Sequence, residues 1–253
     1  MRGWISLFKK EMRSMLFTIL VSGLLVTAWE IFLITKMNRW PLGMTFGLGF
    51  IPLGILPLIM LVQGYQSFRQ EWKGNTIYLL KSLPRKGYEL VSSKLASSGL
   101  VYIILTLYTV GLHLFFHRQH LSTLMGELPG SMAESYSPRM FVIAILIYLA
   151  IGIIPYIMSQ FSYLVSCYFS KFRWLVSIVV FGLSHYLLVR ISGFIARLFN
   201  WLPDIPLDVM WPGPYGQETV TMYLGSGPIV ALVIVLLGFF LTGSWILEKQ
   251  LDV

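Results

Sequence analysis

Six apolar runs, each near the length that crosses a bilayer, decide what this chain can become. They are Leu16–Ile34, Leu42–Val62, Leu95–Phe116, Phe141–Val165, Trp174–Ile195 and Pro228–Leu247. Roughly 20 apolar residues span the hydrocarbon core as a helix. Lipid offers no partner to an open backbone, so such runs are helical or belong to a closed barrel. No alternating strand pattern of the barrel type is read here. The expected fold is therefore all-α: a polytopic membrane protein with six transmembrane helices in a single transmembrane domain, residues 1–253. Only 12% of the chain is charged, about half the share of a soluble domain. The first run follows a charged segment and has no small-residue cleavage site, so it is expected to be retained rather than removed as a signal.

Lys/Arg asymmetry orients the spans. With the N-terminus inside, the inner segments hold Arg2, Lys9, Lys10, Arg13, Arg69, Lys73, Lys81, Arg85, Lys86, Lys94, Lys171, Arg173 and Lys249. The outer side holds Lys36, Arg39, Arg118, Arg139, Arg190 and Arg197. Thirteen against six of the 19 basic residues puts both termini in the cytoplasm of a cell-membrane protein. The net charge of +8 then faces anionic lipid, and no nucleic acid is implied. The single cysteine, Cys167, forms no intrachain disulfide and reads as a small apolar side chain.

Between the spans, residues 2–15 form an amphipathic helix, with Trp4, Ile5, Phe8, Met12 and Met15 on one face and Ser6, Lys9 and Arg13 opposite. It is expected to lie at the membrane interface, with Trp and Phe dipping into lipid. Glu11 falls at the edge of the apolar arc. It is either a snorkelling or helix-terminal carboxylate, or a contact to a cytosolic partner. His117–Pro138 reads as an exposed connection. Ala196–Gly227, with Pro203, Pro206, Pro212, Pro214, Trp201, Trp211 and Tyr215, reads as short, partly re-entrant pieces at the outer surface before span six. The second span carries Gly43, Gly47, Gly49, Pro52, Gly54 and Pro57, and the fourth Pro155. Close helix packing and flexible points account for these equally well.

No G-x-x-x-x-G-K-[ST] loop occurs, so the chain binds no ATP by that means. His113, His117 and His120 share helical spacing at the outer end of span three. Two His at i, i+4 ligate metals, but a site needs further ligands, and no metal is assigned; the expectation is interfacial histidines. His185, in "FGLSH", resembles one motif of CPBP-type intramembrane proteases, but their paired-glutamate motif is absent. Glu30 in span one and Arg190 in span five lie 14 and 16 residues from the inner ends Leu16 and Trp174, roughly 21 and 24 Å along. Charge at that depth is costly unless paired or wet. Either each snorkels to the outer headgroups, or they pair within a subunit or across a dimer, or they line a wet path.

The loop Phe68–Lys94 is the first and largest cytoplasmic one. Gly74-Asn75-Thr76 breaks the chain and supplies an N-cap. "IYLLKSL" gives a short helix with Ile77, Leu80 and Leu83 towards one side, and Pro84 stops it. So short a helix needs something to pack on. Glu71, the Gly-Asn-Thr turn, the paired leucines Leu79 and Leu80, Leu83-Pro84, the basic Arg85 and Lys86, and the later Lys94 together resemble the cytoplasmic loop of type-2 ABC exporter permeases. "LFKKEMRSM" is similar to that family's N-terminal amphipathic helix, and "WILEKQLDV" to its charged finish. The resemblance covers the whole chain.

The resemblance implies a transmembrane permease that is not itself an enzyme. It would work as a dimer, with a second copy or a paralogue, beside two cytosolic ABC ATPases that hold ATP and Mg; this chain would bind no cofactor. The helix between spans two and three would be the coupling helix seated in the ATPase, and Lys9, Lys10, Glu11 and Arg13 would face the ATPase. Spans one and five would meet at the dimer interface, placing Glu30 and Arg190 near it or near the pathway. Without a large outer domain, the chain resembles small permeases exporting amphipathic peptides, drugs or lipids. Gln160, with Ser159, Ser162 and Tyr163 near it, suits an amphipathic cargo or plain packing. The competing expectations are an intramembrane hydrolase using His185 and an ATP-independent transporter.

Overall fold

The computed structural model describes residues 2–74, 86–127, 138–169, 171–213 and 216–251. Its helices are α1 (Arg2–Lys36), α2 (Leu42–Leu48), α3 (Ile51–Lys73), α4 (Gly87–Glu127), α5 (Pro138–Ser166), α6 (Arg173–Leu198) and α7 (Ser226–Leu251), with strands β1 (Ile205–Gly213) and β2 (Gly216–Leu224) between α6 and α7. Six spans are long and apolar enough to cross a membrane, α2 and α3 together making one. The chain is a helical, multi-pass membrane protein.

Three local expectations are corrected, and the second span shows where its breakers act. The N-terminal amphipathic segment is no separate interfacial helix: α1 is one helix of 35 residues, about 52 Å long. No Gly or Pro falls between Gly3 and Gly23, so nothing breaks the ladder. Trp4, Phe8, Met12 and Met15 of its apolar face are part-buried, while Ile5 is exposed. The Trp4 indole N–H donates to Ser92 Oγ at 3.0 Å, and Met12 and Met15 pack on the core around Leu56, Met60 and Tyr102.

The second span is broken at Gly49-Phe50. Pro52 sits in the first turn of α3, where a missing N–H costs nothing. A Cβ on Gly49 would collide with the His113 imidazole, so glycine is required for α2 and α4 to approach there.

The expected exposed connection from His117 is helical as far as Glu127, and His117 is fully buried. The re-entrant pieces before the last span are an antiparallel hairpin, Ile205 pairing with Leu224 and Gly213 with Gly216. Pro206 and Pro212 are six residues apart, so both share one parity and can sit where the missing N–H points away from the partner strand. The coupling helix expected around Ile77–Leu83 lies outside the described residues, as do Asn75, Thr76, Leu79, Leu80, Pro84 and Arg85.

Packing follows a simple order. α1 lies along α4, α3 along α5, and α6 along both α5 and α7, while α7 also contacts α4. Gly64 lets α3 touch α5: a Cβ there would meet Ser159 Oγ and the Tyr156 carbonyl. Small residues drive helix association in lipid, where apolar burial alone brings little gain. α1 and α6 therefore occupy opposite flanks of the bundle, with little contact between them among the described residues. Both show apolar outer faces, such as Phe17, Leu24 and Leu25 on one and Ile178, Val179 and Val189 on the other.

Candidate functional site

Charge that cannot reach water must find charge, and three helices bring it together at the N-terminal end of α1. Lys94 Nζ donates to Glu11 Oε1 at 2.8 Å and to Glu71 Oε1 at 3.3 Å. The Lys94 side chain is 3% exposed and each carboxylate 10%. Lys10, half in solvent, donates to Glu71 Oε1 at 3.0 Å. Among the described residues, two cations and two carboxylates sum to zero. Lys94 Nζ also stands 5.4 Å over the Phe68 ring, which adds cation–π attraction. A buried charge stripped of its partner is strongly destabilising, so the four side chains hold α1, the end of α3 and the start of α4 as a unit.

Glu11 is 8% exposed and bound to Lys94 rather than snorkelling. Glu71 and Lys94, the two flanks of the Phe68–Lys94 loop, meet at the same point. Gly74, Lys86, Lys9 and Arg13 are exposed around it. A shallow polar cleft between α1 and α3 opens beside the network, lined by Ser14, Gln63, Gln66 and Gln70. Cys167, just beyond α5, packs on the cluster containing Leu7, Phe68 and Leu247. Burial pushes its thiol up to about 11, against an opposing pull from Arg173 and Tyr163.

Glu30 and Arg190 separate. Arg190 is exposed on α6, its Nε donating to Tyr186 of its own helix at 3.2 Å. Glu30 is fully buried on α1 and meets α4. They do not pair within the chain. Gln160 is buried in α5, and its Nε2 has no hydrogen-bond partner among the described residues. Ser159 and Ser162, but not Gln160, line an apolar cavity of about 420 Å³ between α3, α5 and α6, with Tyr65, Arg69 and Trp174. His185 rests on Phe181, one turn back in its own helix, with Nδ1 3.1 Å from that carbonyl.

Glu30 instead meets a residue not coupled to it by the sequence reading. Its two carboxylate oxygens lie 3.1 and 3.3 Å from His113 Nδ1. His113 and His117 are 1% and 0% exposed, so they are core rather than interfacial; the His120 side chain lies outside the described residues. The available signal was the His-x-x-x-His spacing beside an intramembrane Glu that required a partner. Comparison with protein families, curated proteins and solved structures finds no match to this chain.

Proposed function

We propose that this chain is the membrane-spanning subunit of an ATP-driven exporter of the type-2 ABC kind. It dimerises with a second copy or a paralogue and is driven by two cytosolic ATPases that carry ATP and Mg. The observation that carries this reading is the Glu11–Lys94–Glu71–Lys10 network. A force applied to the loop between α3 and α4 has to pass through its two flanks. Lys94 is bound to Glu11 of α1 by a buried ion pair and Glu71 to the half-exposed Lys10, so a displacement of the loop moves α1 rather than flexing the loop. The Leu83-Pro84 motif and its paired leucines supply the docking element. Positive-inside bias puts that element and both termini in the cytoplasm.

The cargo class is amphipathic or hydrophobic: a peptide, an antimicrobial, a drug or a lipid. The apolar cavity between α3, α5 and α6, with Arg69 as its cation, supports an amphiphile with an apolar body. The test is co-purification of the chain with the ATPase of its own cell and transport in vesicles. Leu79→Asp with Leu80→Asp should release the ATPase and abolish ATP-dependent transport while the helical content stays unchanged. A chain that transports with no ATPase present would overturn the proposal. That second outcome would favour an ATP-independent transporter, for which the buried Glu30–His113 pair is the supporting observation.

A further inference from the structure

Glu30 on α1 and His113 and His117 on α4 offer ligand atoms that all lie within 4.8 Å of one another, and all three residues are buried. We propose that they form a binding site for a divalent transition metal ion, with zinc the best chemical fit.

The tautomers favour ligation. His117 Nδ1 lies 3.1 Å from the His113 carbonyl. A carbonyl only accepts, so Nδ1 of His117 carries the proton and the ring's lone pair is on Nε2. A metal-binding imidazole is held in this way, its other N–H fixed by a backbone carbonyl or a carboxylate. His113 has Nδ1 beside both oxygens of Glu30, while its buried Nε2 has no hydrogen-bond partner among the described residues.

The spacing agrees as well. Donors around a tetrahedral ion at about 2.1 Å stand roughly 3.4 Å apart. Glu30 and His113 already stand 3.1 and 3.3 Å apart, and the two imidazole centroids are 4.3 Å apart. Two imidazoles with one carboxylate select zinc, copper, nickel or cobalt over magnesium and calcium, which prefer oxygen. Phe46 and Phe50 pack their rings 4.8 and 4.9 Å from His113, so the surroundings are dry and the ion's charge is weakly screened.

The experiment uses the full chain in detergent, free of any histidine tag and stripped by a chelator. Co²⁺ titration followed by visible absorption should saturate at one equivalent, and Zn²⁺ should displace it. His117→Ala and Glu30→Gln should each weaken binding at least about tenfold, while His185→Ala leaves it unchanged. Zinc-edge X-ray absorption of the unaltered protein should read two imidazole ligands, which holds the proposal to account even if a variant misfolds. Unsaturable binding, equal affinity in both folded variants, or a zinc shell without imidazole would overturn it.

Discussion

Lys94 Nζ sits 2.8 Å from Glu11 Oε1, joining residues 83 positions apart. It also reaches Glu71, so a single ammonium holds two carboxylates away from water. Lys94→Met should therefore destabilise the protein by about 3–5 kcal/mol, because both carboxylates would lose a buried partner. Lys10 is half exposed, and Lys10→Met should cost under about 1 kcal/mol. Equilibrium unfolding in mixed micelles reads both; equal losses would mean that Lys94 is not the centre of the network.

Glu30 and Arg190 lie on helices that occupy opposite flanks. A double-mutant cycle between them, in monomeric chains, should be additive within about 0.5 kcal/mol. The cycle between Glu30 and His113 should instead show coupling of about 0.5–3 kcal/mol. The swap Glu30→Arg with Arg190→Glu should restore nothing that the single changes lose. Recovery of stability in the swap would contradict the geometry.

Gly64 lies against Ser159 and Tyr156, whereas a Cβ on Gly54 would meet nothing within 4 Å. Gly64→Ala should then cost about 1–3 kcal/mol by forcing α3 off α5. Gly54→Ala should be neutral or slightly stabilising. Thermal unfolding of the two variants side by side checks this.

Cys167 keeps its proton because burial raises the thiol to about 11. The thiolate is the reactive form, so iodoacetamide labelling at pH 7 should run about a hundredfold slower than for a free thiol. The rate should climb with pH and level off only near 11. A plateau close to the ordinary thiol range would show the side chain to be wet.

The six spans were legible because apolar length is a local property of the sequence. Glu11, Glu71 and Lys94 were each conspicuous as charges near apolar helices, but their meeting depends on how α1, α3 and α4 pack, which no single segment encodes. The same holds for Glu30: its depth could be counted, while its partner came from a helix 83 positions away. The hairpin before α7 was missed for a different reason. Four prolines in that region argued against regular structure, although Thr219-Val220-Thr221 is a β-branched run, favourable to strands. Pairing with a single neighbour leaves each strand an open side on which proline does no harm.

The pairs Glu11–Lys94 and Glu30–His113 share one sequence offset, 83 positions. α1 and α4 thus run side by side in the same direction and in one register. They are riveted at two points nineteen residues apart on each helix, roughly 29 Å of rise. Sliding one helix past the other by a turn would break both rivets together. Whatever pushes on the Glu11 end is therefore felt at the Glu30 end as a tilt of the whole two-helix beam.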